Sequence, residues 1–188
     1  MMALPWYGRE RSGDVFRLCL DLNVWCAATI AEGFGRSGTA VLTLAAAAHS
    51  GRCELGPTQL VVSWGMLDRL GLVLRRELGM EVDEAGAVLA RIKTAAELGP
   101  AAMEPLVVLG GTGVLAIRDT EDLHVLDVAV AGRADVLATA NLRDFVNYRS
   151  EVLVPGRVVL HRTADHEVVI AHPGEVARWV RTGEIRIG

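Results

Sequence analysis

The chain has 188 residues, of which 51% are apolar and 22% are charged, and its formal net charge is -4. These values are typical of one folded globular domain, and they exclude a disordered chain and a protein that grips nucleic acid through overall basicity. Its three cysteines lack C-x-x-C spacing, and its N-terminus lacks the apolar core of an export signal, so we expect a cytoplasmic protein. The longest apolar run is too short to cross a bilayer, and no membrane partner is expected.

Apolar runs alternate with helical periodicity in the first half of the chain. Residues 15–25 (VFRLCLDLNVW) are rich in apolar and β-branched side chains, which predicts a strand buried on both faces, and residues 59–63 (QLVVS) predict a second strand. Three helices are predicted around these strands: an Ala-rich one interrupted by glycines at 32–38, one over 64–78, and one from Asp83 to Gly99.

The alternation continues in the second half. Residues 105–117 predict a strand, a turn and a strand, and 119–132 predict a helix with acids in its first turn and Gly132 at its end. Residues 134–140 (ADVLATA) predict the next strand. The tail after Val152 contains two further strand-like runs and a short helix.

Continuous apolar strands that alternate with helices predict an α/β fold with a central parallel sheet covered on both faces. We expect residues 1–14 to form an N-terminal extension and residues 15–150 to form the α/β domain. Residues 151–188 are expected to add strands and a helix packed on the same domain.

Carboxylates follow the predicted strands at the edge where an open α/β sheet binds ligands. Asp21 is embedded in the first apolar run, where a carboxylate is costly to bury without a partner. Asn23, two residues further on, would point to the same side of that strand. We interpret the pair as functional; the alternative is that both residues cap the following helix.

Two more sets of polar residues lie at the ends of predicted strands or at the start of a predicted helix. Asp119 and Asp122 open the predicted helix at 119–132, where acids also favour the helix dipole by ~0.3–1 kcal/mol each, so a structural role is open. Thr139 ends a predicted strand, and Asn141 and Asp144 follow it. These two could face the same crevice or form an Asx-turn.

Asp21, Asp122 and Asp144 would repel one another at a shared sheet edge unless a cation lay between them. Hard oxygen ligands without Cys or His suit Mg²⁺ or Mn²⁺. Such cations bind substrate phosphate and support phosphoryl chemistry. The sequence therefore predicts a magnesium or manganese site.

Three segments resemble the PIN domain, the fold of the toxin half of many bacterial VapBC-type toxin–antitoxin pairs. They are LCLDLNVWCAA, LVVSWGMLDRL and, most specifically, DTEDLHVLDVAVAGRADVLATANLRDF, and together they span about Val15 to Tyr148. The resemblance implies a PIN-like three-layer α/β/α domain and a metal-dependent endoribonuclease that acts on RNA. It also implies a homodimer and a small cognate antitoxin.

The resemblance also implies roles for single residues. The catalytic acids and metal ligands would be Asp21, Asp122 and Asp144, with Asn141 at a further position that the family often uses. Thr139 matches a supporting hydroxyl, and Asn23 and Asp119 are interpreted as supporting residues too. Arg143, between Asn141 and Asp144, is predicted to contact the RNA backbone.

One position departs from the family pattern. The family usually has a glutamate six residues past the serine that matches Ser63, but Arg69 stands there and Asp68 precedes it. One helical position rotates a side chain by about 100°. Asp68 therefore replaces the glutamate, or the site has three acids, or the protein is a catalytically degenerate module that binds RNA or a protein partner. An inward-pointing Arg69 could contact the RNA phosphate or occupy the place of a metal ion.

Overall fold

The computed structural model describes residues 15–107, 120–147 and 149–187, with side chains in the second range from His124 onward. The predicted N-terminal extension lies outside these ranges, as do Asp119 and most of the predicted strand-turn-strand unit. The described residues of that unit, 105–107, form no strand, although Leu106 makes an isolated parallel bridge with Ser63.

Helices and strands alternate through most of the described chain. The helices are α1 (Leu22–Gly33), α2 (Ala40–Ser50), α3 (Trp64–Arg76), α4 (Val82–Glu97), α5 (Thr120–Ala131) and α6 (Pro173–Thr182), with a 3₁₀ helix over Leu142–Phe145. The strands are β1 (Phe16–Leu20), β2 (Arg52–Cys53), β3 (Gly56–Val61), β4 (Val136–Ala138), β5 (Ser150–Val154), β6 (Val158–Arg162) and β7 (Glu167–Ala171).

The strands form one sheet in the order β2-β3-β1-β4-β7-β6-β5. Four adjacent strands, β3, β1, β4 and β7, are parallel to one another, while β2, β6 and β5 are antiparallel to their neighbours. The predicted α/β class is confirmed, but the sheet is mixed rather than wholly parallel. The reason lies in the connections, since the short links around the outer strands cannot make the crossover that a parallel pair requires.

The first predicted strand is shorter than its apolar run. It ends at Leu20, and Asp21 caps α1 with an extended backbone and a side chain that accepts from the Leu22 amide. The apolar residues after the cap are buried by helix packing, which explains why the run continues beyond the strand. The interpretation of Asn23 as a strand residue was therefore wrong, because Asn23 lies in the first turn of α1.

The sheet is buried on both faces. Leu18, Cys19 and Leu20 of β1 are all fully buried, and successive strand residues point to opposite faces, so layers cover both sides. Helix α5 packs on β4 and β7, while α6 packs on α2 and β4 and brings the fully buried Trp179 into the core. In the described ranges no helix is both long and apolar enough to cross a membrane.

Candidate active site

Three polar residues follow the carboxyl ends of neighbouring parallel strands. Asp21 follows β1, Thr139 follows β4, and Ser63 comes two residues after β3. The register pairs Cys19 with Val61 and Leu20 with Ala138, so the three polar residues lie side by side along one edge of the sheet. Asp21 is 4% exposed and the other two are fully buried.

The carboxylate of Asp21 is held by three hydrogen bonds. Oδ1 accepts from the Leu22 amide at 2.6 Å, and Oδ2 accepts from Asn23 Nδ2 and from the Thr139 hydroxyl, each at 2.6 Å. A carboxylate has roughly four acceptor positions, so one remains on Oδ1. The alternative role of Asp21 as a helix cap therefore holds as well, and it leaves the carboxylate an acceptor position to spare.

Burial raises the pKa of Asp21 above its usual value near 3.8. The hydrogen bonds from Thr139, Leu22 and Asn23 act in the opposite direction, and the negative charge of Asp144 raises the pKa further. A buried carboxyl with a perturbed pKa at a sheet edge is typical of functional sites.

Thr139 connects Asp21 to the residues after β4. Its hydroxyl donates to Asp21 and accepts from Asn23 Nδ2 at 3.2 Å and from the Asn141 amide at 3.0 Å, which uses all of its hydrogen-bonding capacity. Asn141 in turn donates from Nδ2 to Oδ2 of Asp144. The two acids thus belong to one hydrogen-bonded network.

Asn23 closes this network from the helix side. Its Oδ1 accepts from the Ala140 amide at 3.1 Å, in addition to the two bonds that its Nδ2 donates. The first turn of α1 therefore brings Asn23 to Asp21, although we expected a shared strand face to do so.

The segment that carries Asp144 is more open than the strand ends. Asp144 lies in the 3₁₀ helix and is half-buried, whereas Asn141 and Arg143 are exposed. The side chain of Arg143, the residue before Asp144, is thus accessible to solvent.

The predicted third acid is described by its backbone alone. Asp122 lies in the first turn of α5, and its side chain, like the whole of Asp119, lies outside the described part of the chain. Among the described side chains, no group of three or more His, Cys, Asp or Glu residues could hold a metal ion. The three-acid set stays a prediction.

Asp68 and Arg69 are both exposed on α3, whose buried stripe is formed by Met66, Leu67, Leu70, Gly71 and Leu74. Asp144, and not Asp68, is the carboxylate whose charge acts on Asp21. The structure therefore does not join Asp68 to the network, and its role as a ligand also stays a prediction.

Sequence reasoning gave two nearby residues no role in the site. The hydroxyl of Ser63 accepts from the Met66 amide at 3.2 Å and lies 3.4 Å from Nε2 of His124. Two features of the sequence could have revealed Ser63: it ends an apolar strand and it directly precedes a helix, as an N-cap does.

The family model of the PIN domain matches residues 17–143, which is more than half of the chain. The chain belongs to the PIN domain family. PIN domains are generally nucleases and generally use divalent metal ions. Searches of curated proteins and of solved structures found no match.

The donor chemistry of the edge fits such an ion. Asp21 and Asp144 supply carboxylate oxygens, and Asn141 supplies an amide oxygen, while no Cys or His takes part in the network. Hard oxygen donors of this kind suit Mg²⁺ and Mn²⁺. Burial is the main cause of the raised pKa of Asp21 and the charge of Asp144 adds to it, and a divalent cation would offset that added repulsion.

Proposed function

We propose that this PIN domain is a Mg²⁺- or Mn²⁺-dependent endoribonuclease. The observation that carries the proposal is the buried carboxylate of Asp21, fixed at a strand end and close to a second carboxylate, Asp144. Burying this charge is costly, and the site is explained most directly if a cation lies at the edge.

In this proposal Asp21 and Asp144 hold the cation together with Asp122, and Asn141 is a further oxygen donor. The cation supplies Lewis-acid chemistry that makes water more acidic and offsets charge on the phosphodiester. Thr139 and Asn23 fix the orientation of the Asp21 carboxylate through their hydrogen bonds. Arg143, exposed beside Asp144, binds a backbone phosphate of the RNA.

The proposal extends to the biological setting. The similarity of the three segments to VapBC-type toxins supports a cytoplasmic toxin of a type II toxin–antitoxin pair. Such a protein would form a homodimer and would be inhibited by a small antitoxin.

The test is RNA cleavage by the purified protein in Mg²⁺, in Mn²⁺ and in EDTA, with wild type beside Asp21→Asn. Asp165→Asn is the matched control, because it makes the same change at an exposed acid between β6 and β7. We expect cleavage by wild type and Asp165→Asn in either metal, and none in EDTA or by Asp21→Asn. Undiminished cleavage in EDTA would contradict the proposal.

A second candidate is a catalytically degenerate PIN domain that binds RNA or a protein partner. The observation that favours it is Arg69, which stands where the family usually has a glutamate. Calorimetric titration with Mn²⁺ separates the two candidates. A nuclease binds Mn²⁺ in a manner that Asp21→Asn abolishes, whereas a degenerate module shows no binding that depends on Asp21.

A further inference from the structure

The imidazole of His124 sits against the start of α3 at a distance that only glycine allows. A Cβ added to Gly65 would lie 2.4 Å from Nε2 of His124, closer than side-chain contacts normally come. His124 is half-buried and lies on α5, two residues after Asp122. The packing therefore joins the beginning of α5 to the beginning of α3.

A hydrogen bond reinforces this packing. Nε2 of His124 lies 3.4 Å from the hydroxyl of Ser63, and that hydroxyl also accepts from the Met66 amide. Ser63 is fully buried and shares the sheet edge with Asp21, so the ring of His124 is anchored to the edge that carries the candidate site.

The other end of α5 is seated separately. A Cβ on Gly132 would lie 2.2 Å from Cγ1 of Val61, so the end of α5 approaches β3 through an apolar contact. At the start of α5, the polar contact among the described side chains is the one between His124 and Ser63.

We propose that His124 is a positioning residue that seats the first turn of α5, and with it Asp122, against the strand ends that carry Asp21 and Thr139. The inference rests on the proposed function in one respect, since it takes Asp122 to be a ligand of the cation. It assigns His124 no direct contact with metal or RNA.

Gly65→Ala tests the position of α5 without a substitution of His124 itself. Gly65 has no left-handed backbone, and alanine favours a helix over glycine by about 1 kcal/mol, so the collision with His124 is the main cost of the change. A displacement of about 1 Å at a reacting group can cost roughly 100-fold in rate. We expect Gly65→Ala to lower cleavage by about 10- to 100-fold at Mn²⁺ concentrations below saturation.

Gly86→Ala is the matched control. Gly86 lies within α4, and a Cβ there would meet nothing within 4 Å. This variant should fold at least as well as wild type and cleave RNA at the wild-type rate.

Variants of His124 complete the test. His124→Ala removes the ring, and in Gly65→Ala/His124→Ala the new methyl group occupies the vacated space, so the double variant should be no worse than His124→Ala alone. His124→Gln, which keeps a polar atom within reach of Ser63, should recover part of the activity, whereas the apolar His124→Leu should not.

Two readouts distinguish positioning from a general loss of structure. The Mn²⁺ concentration for half-maximal cleavage should rise about 10- to 100-fold in His124→Ala, with kcat at saturating Mn²⁺ closer to wild type. Without metal, amide hydrogen exchange should speed up in residues 124–128 and stay unchanged in β1 and β4.

Unchanged metal dependence and unchanged exchange in both His124→Ala and Gly65→Ala would overturn the inference. A wild type that cleaves no RNA in Mn²⁺ would instead overturn the proposed function. In that case the metal-free exchange data alone support or overturn the seating of α5.

Discussion

The two acids that the structure places at the carboxyl edge, Asp21 and Asp144, are held in different ways. Asp21 is 4% exposed and accepts three hydrogen bonds from the backbone and from two neighbouring side chains. Asp144 is half-buried in a 3₁₀ helix, and its side chain accepts from the exposed Asn141. Asp21 is thus fixed in the core, and Asp144 lies at the more exposed side of the network, here called the rim.

The difference separates two tasks. A buried carboxylate that accepts three hydrogen bonds has little freedom to move. In the proposed function, Asp21 therefore sets the position of the cation. In the proposed function, a half-buried carboxylate at the rim has more freedom to adjust its position to a cation. Thr139 hydrogen-bonds both Asp21 and the Asn141 amide, and so links the buried acid to the segment that carries Asp144.

Asp21→Asn is expected to have the largest effect on activity. Changes in groups that merely support a metal ligand cost about 10- to 100-fold, so loss of a ligand should cost at least about 100-fold. The measurement is the initial rate of RNA cleavage at saturating Mn²⁺. A rate within tenfold of wild type would contradict the central position given to Asp21.

The same variant should change how stability depends on pH. Because burial raises the pKa of Asp21, the native state binds more protons than the unfolded state between the unfolded and folded pKa values, and stability falls as pH rises through that window. Asn lacks this titration. In the absence of divalent metal, the urea concentration at the unfolding midpoint of Asp21→Asn should therefore rise relative to that of wild type as the pH is raised from 3 to 7. A shift in the opposite direction would mean that the charged carboxylate stabilises the fold.

Asp144→Asn should separate activity from stability at the rim. It removes a predicted ligand, so cleavage should fall by about 100-fold, but the side chain is half-buried and the free energy of unfolding should change by no more than about 0.5 kcal/mol. Cleavage assays and urea unfolding measure the two quantities. A large loss of stability would contradict this expectation and would show that Asp144 contributes to the fold as well as to the site.

The inner strands β1, β4 and β7 could be predicted from sequence because apolar runs mark them, whereas β2 and β5 were not predicted because they carry polar and partly exposed residues. The end of β1 could not be predicted, since residues buried by a helix and residues buried by a strand look alike around Asp21. The antiparallel edges also escaped prediction, because strand direction depends on pairing that a single strand does not encode.

Part of the polar network at the strand ends could also be predicted from sequence, while the metal ligands stay a prediction. Acids at strand ends could be recognised one at a time, and β-strand register then brings Asp21 and Thr139 together. The contact between Ser63 and His124 depends on the approach of two helices that are distant in sequence, and glycine at position 65 gives no such signal by itself.

Thr139→Val should weaken the link between core and rim by a smaller amount. The change preserves shape but removes the donor to Asp21 and the acceptor for the Asn141 amide, which should cost about 1–3 kcal/mol of stability and about tenfold in cleavage. Thr139→Ser keeps the hydroxyl and is the control, with near wild-type behaviour expected in both measurements. An equal loss in Thr139→Ser, which keeps the hydroxyl, would contradict this account, because it would show that removing the methyl group costs as much as removing the hydroxyl.

Asp68→Asn should have the smallest effect, and it tests whether burial at the strand ends is what marks the acids of the site. Asp68 is exposed on α3 and is not among the charges that raise the pKa of Asp21. Surface substitutions of this kind usually change stability by less than about 0.5 kcal/mol. Cleavage and the half-saturating Mn²⁺ concentration should both stay within about twofold of wild type. A loss as large as that of Asp144→Asn would make Asp68 a ligand in place of the missing glutamate, and the rim would then extend across to α3.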